Sequence, residues 1–412
     1  MANVLVERKS LEDIADAIRV KLNTQDLFKP EEFASKVMEI PECGIAGTIT
    51  YYTDAGHTAT ATGSITQATV ANMAGDEDWS INVGGVTINK SQIKEVAIDS
   101  PDVTVLPWRF LMDCESLTTV DLSGSTATMI DQDTMWGCTS LTSVTLPSTI
   151  ETIEENFMSH CSSFNNTIVI PNSVTTIKRH FMNDCTSFNQ PIVIPNSVTF
   201  LDGGFLVQCQ SFNSQVTISN SITEIPYAFL WNCQSFNQPI VIPNGVTSIG
   251  QGFLEQCRNF NQSVTLPNTL ETIDDYFLAS CPSFNQQLIL PNTLTKIGNY
   301  FMKRAHRFNQ SLTLPNSITS IGYGFLYDIY DFSSTINIGN LQSSVIAADE
   351  TSVQWREGYS FTSVSEVSPA YTTGVTLSGT YANDWKTKFP DAALPEEPGQ
   401  ELGAVYRKLL VA

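Results

Sequence analysis

Basic residues are scarce in this sequence. The 412 residues carry 21 Lys and Arg against 42 Asp and Glu, for a formal net charge of -21. Attraction to phosphate needs cations, so this balance excludes nucleic acid and anionic membrane surfaces as expected partners. Charge of either sign is thin, at 15% of the chain, so Ser, Thr, Asn and Gln must cover much of the surface. No apolar run approaches the ~18 residues of a membrane span, so no insertion is expected. After Met1 there is no basic segment followed by an apolar core and a small-residue cleavage site. The expectation is therefore a chain without a signal peptide, made and folded in the cytosol. Paired CxxC cysteines, GxSxG, the phosphate-binding loop, GxGxxG and HExxH are also missing. No catalytic residue, metal or cofactor is expected, and the chain reads as a non-enzyme.

What is present is a repeat. Eight of the 9 cysteines fall at Cys114, Cys138, Cys161, Cys185, Cys209, Cys233, Cys257 and Cys281, in steps of 24 or 23, and the next position is Ala305. A Phe series from Phe157 to Phe325 sits four residues before the cysteine position, and a second, Phe164 to Phe308, sits three after it. Each member of the second Phe series is followed by Asn, from Asn165 to Asn309. A further Asn series runs from Asn172 to Asn316, mostly after Pro. A 24-residue unit cannot bury its own apolar side chains, so it must stack on its neighbours as a solenoid.

Within one unit, Ile192-Val-Ile194 alternates and is β-branched, which predicts a strand. Pro195-Asn-Ser ends it with a turn, and Val198 to Leu201 predicts a second short extended piece. Gly203-Gly-Phe-Leu206 is then expected to turn the chain into a helical or 3₁₀ stretch ending near the cysteine. Nine or so coils at ~4.8 Å would make a rod roughly 45 Å long.

The run Leu141-Thr-Ser-Val-Thr-Leu-Pro-Ser-Thr-Ile-Glu-Thr-Ile, followed by Phe157 and Cys161, resembles the BspA-type leucine-rich repeat over about residues 93–340. The Phe-Asn-Gln element of most coils is an addition to that pattern. The resemblance implies a mainly β, right-handed solenoid and a non-enzymatic surface-binding module of bacteria, their phages or some protists.

Four regions are expected: a helical attachment module at 1–43, a small β-rich linker or cap at 44–92, the solenoid at 93–340 and a C-terminal cap region at 341–412. Ser10 with Asp13 reads as a capping box, Leu11, Ile14, Ala15, Ile18 and Leu22 share one helical face, and Pro30 opens a second helix. This helical pair resembles the N-terminal module of structural proteins in tailed phages of Gram-positive hosts. Beyond 340, Val353 to Val364 and Gly374 to Leu377 suggest strands and Ala382 to Phe389 a short helix.

The cysteine ladder reads as small buried core residues, and the Asn165-to-Asn309 series as a buried amide ladder that satisfies turn backbone. His160 beside Cys161 lacks the geometry of a nucleophile pair. Glu154-Glu155 and Asp274-Asp275 read as solvated turns, although a glycan-cleaving site would need just such acids. Ligand contacts are expected where the coils differ: Arg179, His180, Tyr227, Trp231, Tyr276, Tyr300, Tyr323 and Tyr327.

The composite reading is a virion structural protein of tail, baseplate or head fibre. Residues 1–43 would dock on other virion proteins, the solenoid would contact a host-surface glycan or protein, and the chain would be a homo-oligomer. The alternative is a bacterial cell-surface adhesin, and a glycan depolymerase stands third.

Overall fold

In each coil two short β-branched segments pair with their counterparts 23 or 24 residues away, so the backbone hydrogen bonds of one coil are met by the next. The computed structural model describes residues 46–345, apart from 54–55, 76, 323, 327–328 and 330–333, together with 376–378 and 380. The expected helical pair, Tyr323, Tyr327 and most of the C-terminal region lie outside the described residues.

The described chain is a mainly β solenoid of about ten turns of roughly 24 residues, with almost no helix. One parallel ladder is built from second-strand segments such as Thr152–Ile153, Thr176–Ile177 and Phe200–Leu201, paired in register. It resumes through Glu224–Ile225, Ser248–Ile249, Thr272–Ile273, Lys296–Ile297 and Ser320–Ile321. First-strand segments such as Ile192–Val193, Val216–Thr217, Ile240–Val241 and Val264–Thr265 form a second set of parallel pairs. At the far end Thr376–Ser378 pairs with Thr335–Asn337.

The N-terminal end is closed on both ladders. Strand β1 (Ala46–Tyr52) pairs antiparallel with β2 (Thr58–Gly63) and with β5 (Ile93–Asp99), which pairs parallel with Thr119–Asp121. Between them lie helix α1 (Gln67–Ala71), capped by Thr66, and a hairpin of β3 (Ser80–Val83) and β4 (Val86–Asn89). The Gln67 amide donates to Val105 O at 2.8 Å and accepts from Thr104 and Val105 N–H. One side chain thus stands in for the missing previous coil, and the first coil's edge is not left open for pairing.

The core is a set of ladders. The two Phe series form two continuous stacks, with ring centroids 5.3 Å apart at Phe181–Phe205 and 5.6 Å at Phe188–Phe212, and the planes nearly parallel. Offset stacking at this spacing follows directly from the coil rise. The eight repeat cysteines are free and buried, and burial raises every one of their pKa values, Cys114 to about 12. From Cys138 onward each thiol donates to the carbonyl 26 or 27 residues earlier, as Cys233 does to Leu206 O at 3.0 Å.

The asparagine ladder works as a backbone acceptor: Asn213 Oδ1 accepts from Asn237 N–H and Asn237 Oδ1 from Asn261 N–H, both at 2.8 Å. It lies at the surface, exposed or half-buried, and not in the interior as expected. Its position after the inward Phe puts it at the corner, where the N–H of the next coil would otherwise face water.

Candidate ligand-binding ridge

The corner after the second strand is where the coils differ most, and its backbone is unusual. Ala228, Leu230 and Asn232 have φ of 54°, 56° and 58°. The same alternation recurs at His180, Met182 and Asp184 and at Tyr276, Leu278 and Ser280. The expected helical or 3₁₀ stretch is therefore absent, because every second residue is left-handed. Cross-coil bonding holds this conformation. Ala228 N–H donates forward to Gln251 O, Leu230 N–H back to Phe205 O, and Asn232 N–H forward to Glu255 O. Left-handed residues cost about 1–2 kcal/mol each, so these bonds must over-determine the backbone. They also occupy the N–H groups that such a corner could otherwise offer to an anion.

The ridge residues fall on the first left-handed position of a coil, as His180, Tyr276 and Tyr300 do, or beside a left-handed position, as Arg179, Tyr227 and Trp231 do, while the repeat Phe that follows each first position is buried. Arg179 and Tyr227 are exposed, whereas His180, Trp231, Tyr276 and Tyr300 are half-buried. The structure gathers them into two groups with Trp231 between.

The first group surrounds Gly203 and Gly204. Tyr227 lies across Gly203, where any Cβ would overlap its ring, and His180 fills the space beside Gly204. The Arg179 guanidinium bonds Glu155 at 2.8 Å, and that carboxylate holds its pKa up. Behind it, Arg109, Asp133, Asn156 and His180 form a polar chain through four coils. Arg109 Nε lies 3.3 Å from Asp133, Asn156 Nδ2 donates to Asp133 at 2.8 Å, and Asn156 Oδ1 faces His180 Nδ1 at 3.1 Å. With the Asn156 amide so oriented, His180 carries its proton on Nδ1. Burial, and then Arg179, lowers the His180 pKa.

The second group is aromatic. Tyr276 and Tyr300 sit one coil apart with ring centroids 5.1 Å apart, and Lys303 Nζ lies 4.1 Å from the Tyr300 ring centre. Beside them a polar hollow of about 350 Å³ is lined by Gln251, Asp274, Asp275, Lys296, Gly298, Asn299, Ser320 and Gly322. Asp274 pairs with Lys296 at 3.0 Å, and Asp275 accepts from Asn299 N–H at 2.7 Å and from its side-chain amide at 3.1 Å. Both acids already hold partners from the adjacent coil, as does Glu155 in the first group. The sequence reads Asp274-Asp275 as a solvated turn and does not single out Asn299 or Lys303 as ligand contacts. The 24-residue offset between Asp275 and Asn299 was the available signal.

Trp231 is tied down: its indole N–H and the Gln256 side chain bond the Glu255 carboxylate, whose pKa burial nevertheless raises. Among the described residues no group of three or more His, Cys, Asp or Glu is placed to hold a metal ion, and no helix is long and apolar enough to cross a membrane.

The family profile of the BspA type leucine rich repeat region matches residues 104–237 and 232–349, in six copies. Among solved structures the chain is similar to the leucine rich repeat protein TpLRR of T. pallidum, at 20% identity over 53% of this chain and 84% of that one, with a TM-score of 0.33. It is also similar to a leucine rich cell surface protein from Faecalibacterium prausnitzii A2-165, at 16% identity over 76% and 89%, TM-score 0.32. A third is the pneumococcal vaccine antigen PcpA, at 14% identity over 73% and 88%, TM-score 0.33. Comparison by sequence with curated proteins gives no match.

Proposed function

The chain belongs to the BspA-type leucine-rich repeat family, and from that premise we propose that it is a non-enzymatic, adhesin-like binding protein whose corner ridge contacts a cell-surface glycan or protein. One observation carries the reading. The regular residues are spent on internal bonds and stacks, while the irregular ones cluster on a single corner. Two adjacent tyrosines beside a hollow of amide, hydroxyl and charged groups suit a partner with both apolar faces and hydroxyls. Glu155, Asp274 and Asp275 are engaged by cross-coil partners, which supports binding over glycan cleavage.

This is the adhesin alternative of the sequence reading, and the family supports it without any appeal to residues 1–43. The virion reading draws on those residues, which lie outside the described part, and neither the fold nor the family adds support to it. Mass spectrometry of purified phage particles is its test, and absence of the chain there would end it.

For the adhesin reading, the purified chain is titrated onto bacterial and mucosal cells and onto a glycan panel. Saturable binding is expected, and Tyr276→Ala with Tyr300→Ala should reduce it more than about ten-fold, in the range of lost aromatic anchors. Unchanged binding in that variant and in Arg179→Ala with Tyr227→Ala would remove the ridge from the proposal.

A further inference from the structure

A different face of the rod carries no charge. The first-strand side of eight successive coils comprises residues 143–149, 165–173, 189–197, 213–221, 237–245, 261–269, 285–293 and 309–317, and none of these is charged or aromatic. The outward row at its centre reads Thr145, Val169, Val193, Thr217, Val241, Thr265, Ile289 and Thr313, all exposed. Four of the large apolar residues most exposed to water lie in this one row: Val169 at 76%, Val193 at 56%, Val241 at 63% and Ile289 at 75%. Asp121 takes the same position one coil earlier and ends the uncharged stretch.

We propose that this face is the contact between two copies of the chain, packed sheet on sheet. The charge distribution selects the occupant. Two molecules each carrying a net charge of -21 repel one another, and this face lets them meet without setting carboxylates opposite each other. It offers nothing that other partners require: no cation for a phosphate and no aromatic platform for a sugar ring.

The dimensions fit as well. Seven coil steps at ~4.8 Å and about six residues across at ~3.3 Å give roughly 700 Å² per copy, within the ~600–1,000 Å² per partner of a standard interface. β-Branched side chains on facing sheets interdigitate at a spacing of ~10 Å. Two shallow grooves, of about 710 and 470 Å³, open on the face beside Val169 and Val193 and can receive them.

Sedimentation equilibrium of the full chain at low and high salt tests this. The expected result is a dimer that tightens as salt rises, because screening weakens the repulsion between the acidic bodies and leaves the apolar contact intact. Val193→Glu with Val241→Glu should weaken it more than about ten-fold, because each buried carboxylate would lack a partner. Val169→Glu with Ile289→Glu should do the same, and circular dichroism confirms that both variants are folded. Tyr276→Ala with Tyr300→Ala should leave the dimer unchanged, so failure of the ridge and failure of this face are separable. A monomeric chain, a dimer that salt weakens, or a dimer indifferent to both glutamate pairs would overturn the proposal. A monomer whose glutamate variants lose binding to cells or glycans would instead assign the face to another occupant and also overturn it.

Discussion

The Cys233 thiol donates to the carbonyl oxygen of Leu206 across the coil boundary at 3.0 Å. Leu206 is left-handed, with φ of 54°, and its carbonyl accepts both this thiol and the Cys209 N–H of its own coil, at 3.4 Å. The cysteine is a small hydrophobe and a donor together, which explains its recurrence better than size alone. Cys233→Ala should therefore cost about 1–2 kcal/mol, for the lost bond and the small void. Chemical denaturation reads this directly, and an unchanged midpoint would remove the bond from the account. Burial raises the pKa of all eight thiols, so alkylating reagents should reach them only after unfolding.

The surface asparagines make a second, independent prediction. Asn237 Oδ1 accepts from the Asn261 N–H at 2.8 Å. Asn237→Ala should lose about 1 kcal/mol, while Asn237→Asp keeps the acceptor and should lose little. Equal losses in the two variants would show that the amide's size matters and its oxygen does not.

The periodic residues were legible because each performs the same task in every coil. Cys, Phe and Asn recur at 24 residues since the stack demands identical neighbours, and that fixed the solenoid from the sequence. The corner was not legible. Its first left-handed position holds Asn156, His180, Gly204, Ala228, Gly252, Tyr276 and Tyr300, which share a backbone shape and no side-chain chemistry. Cross-coil hydrogen bonds impose that shape, and no local propensity announces it. The pairing of Tyr276 with Tyr300 follows from their 24-residue offset, whereas the close approach of the coils at Gly298 and Gly322, where any Cβ would overlap the backbone of the preceding coil, is revealed only by the packing.

His180 gives a pH dependence. Burial lowers its pKa below the ordinary 6.5, so the unfolded chain takes the proton before the folded one does. The contribution to stability is complete above pH 6.5 and falls as the pH drops through that value toward the lower folded one. Melting temperatures measured between pH 7.5 and 5.5 should decline less in His180→Asn than in the native chain. Asn is tolerated there because it already takes the same left-handed position at Asn156. Parallel pH profiles for the two proteins would count against a neutral, half-buried His180.

The left-handed corner itself makes the least intuitive prediction. Ala228 has φ of 54°, while glycine occupies the equivalent position at Gly204 and Gly252. An L-residue there carries a cost of about 1–2 kcal/mol, and glycine removes it at an entropic cost of about 0.5–1 kcal/mol in the unfolded chain. Ala228→Gly should therefore stabilise the solenoid by about 0.5–1 kcal/mol, against the usual direction for that change. Ala228→Val should destabilise it, because a β-branched side chain fits this region worst. Both readings come from the same denaturation experiment. If glycine destabilised the protein as it does in a helix, the corner would have to be right-handed in solution, and the ridge would lose its geometric basis.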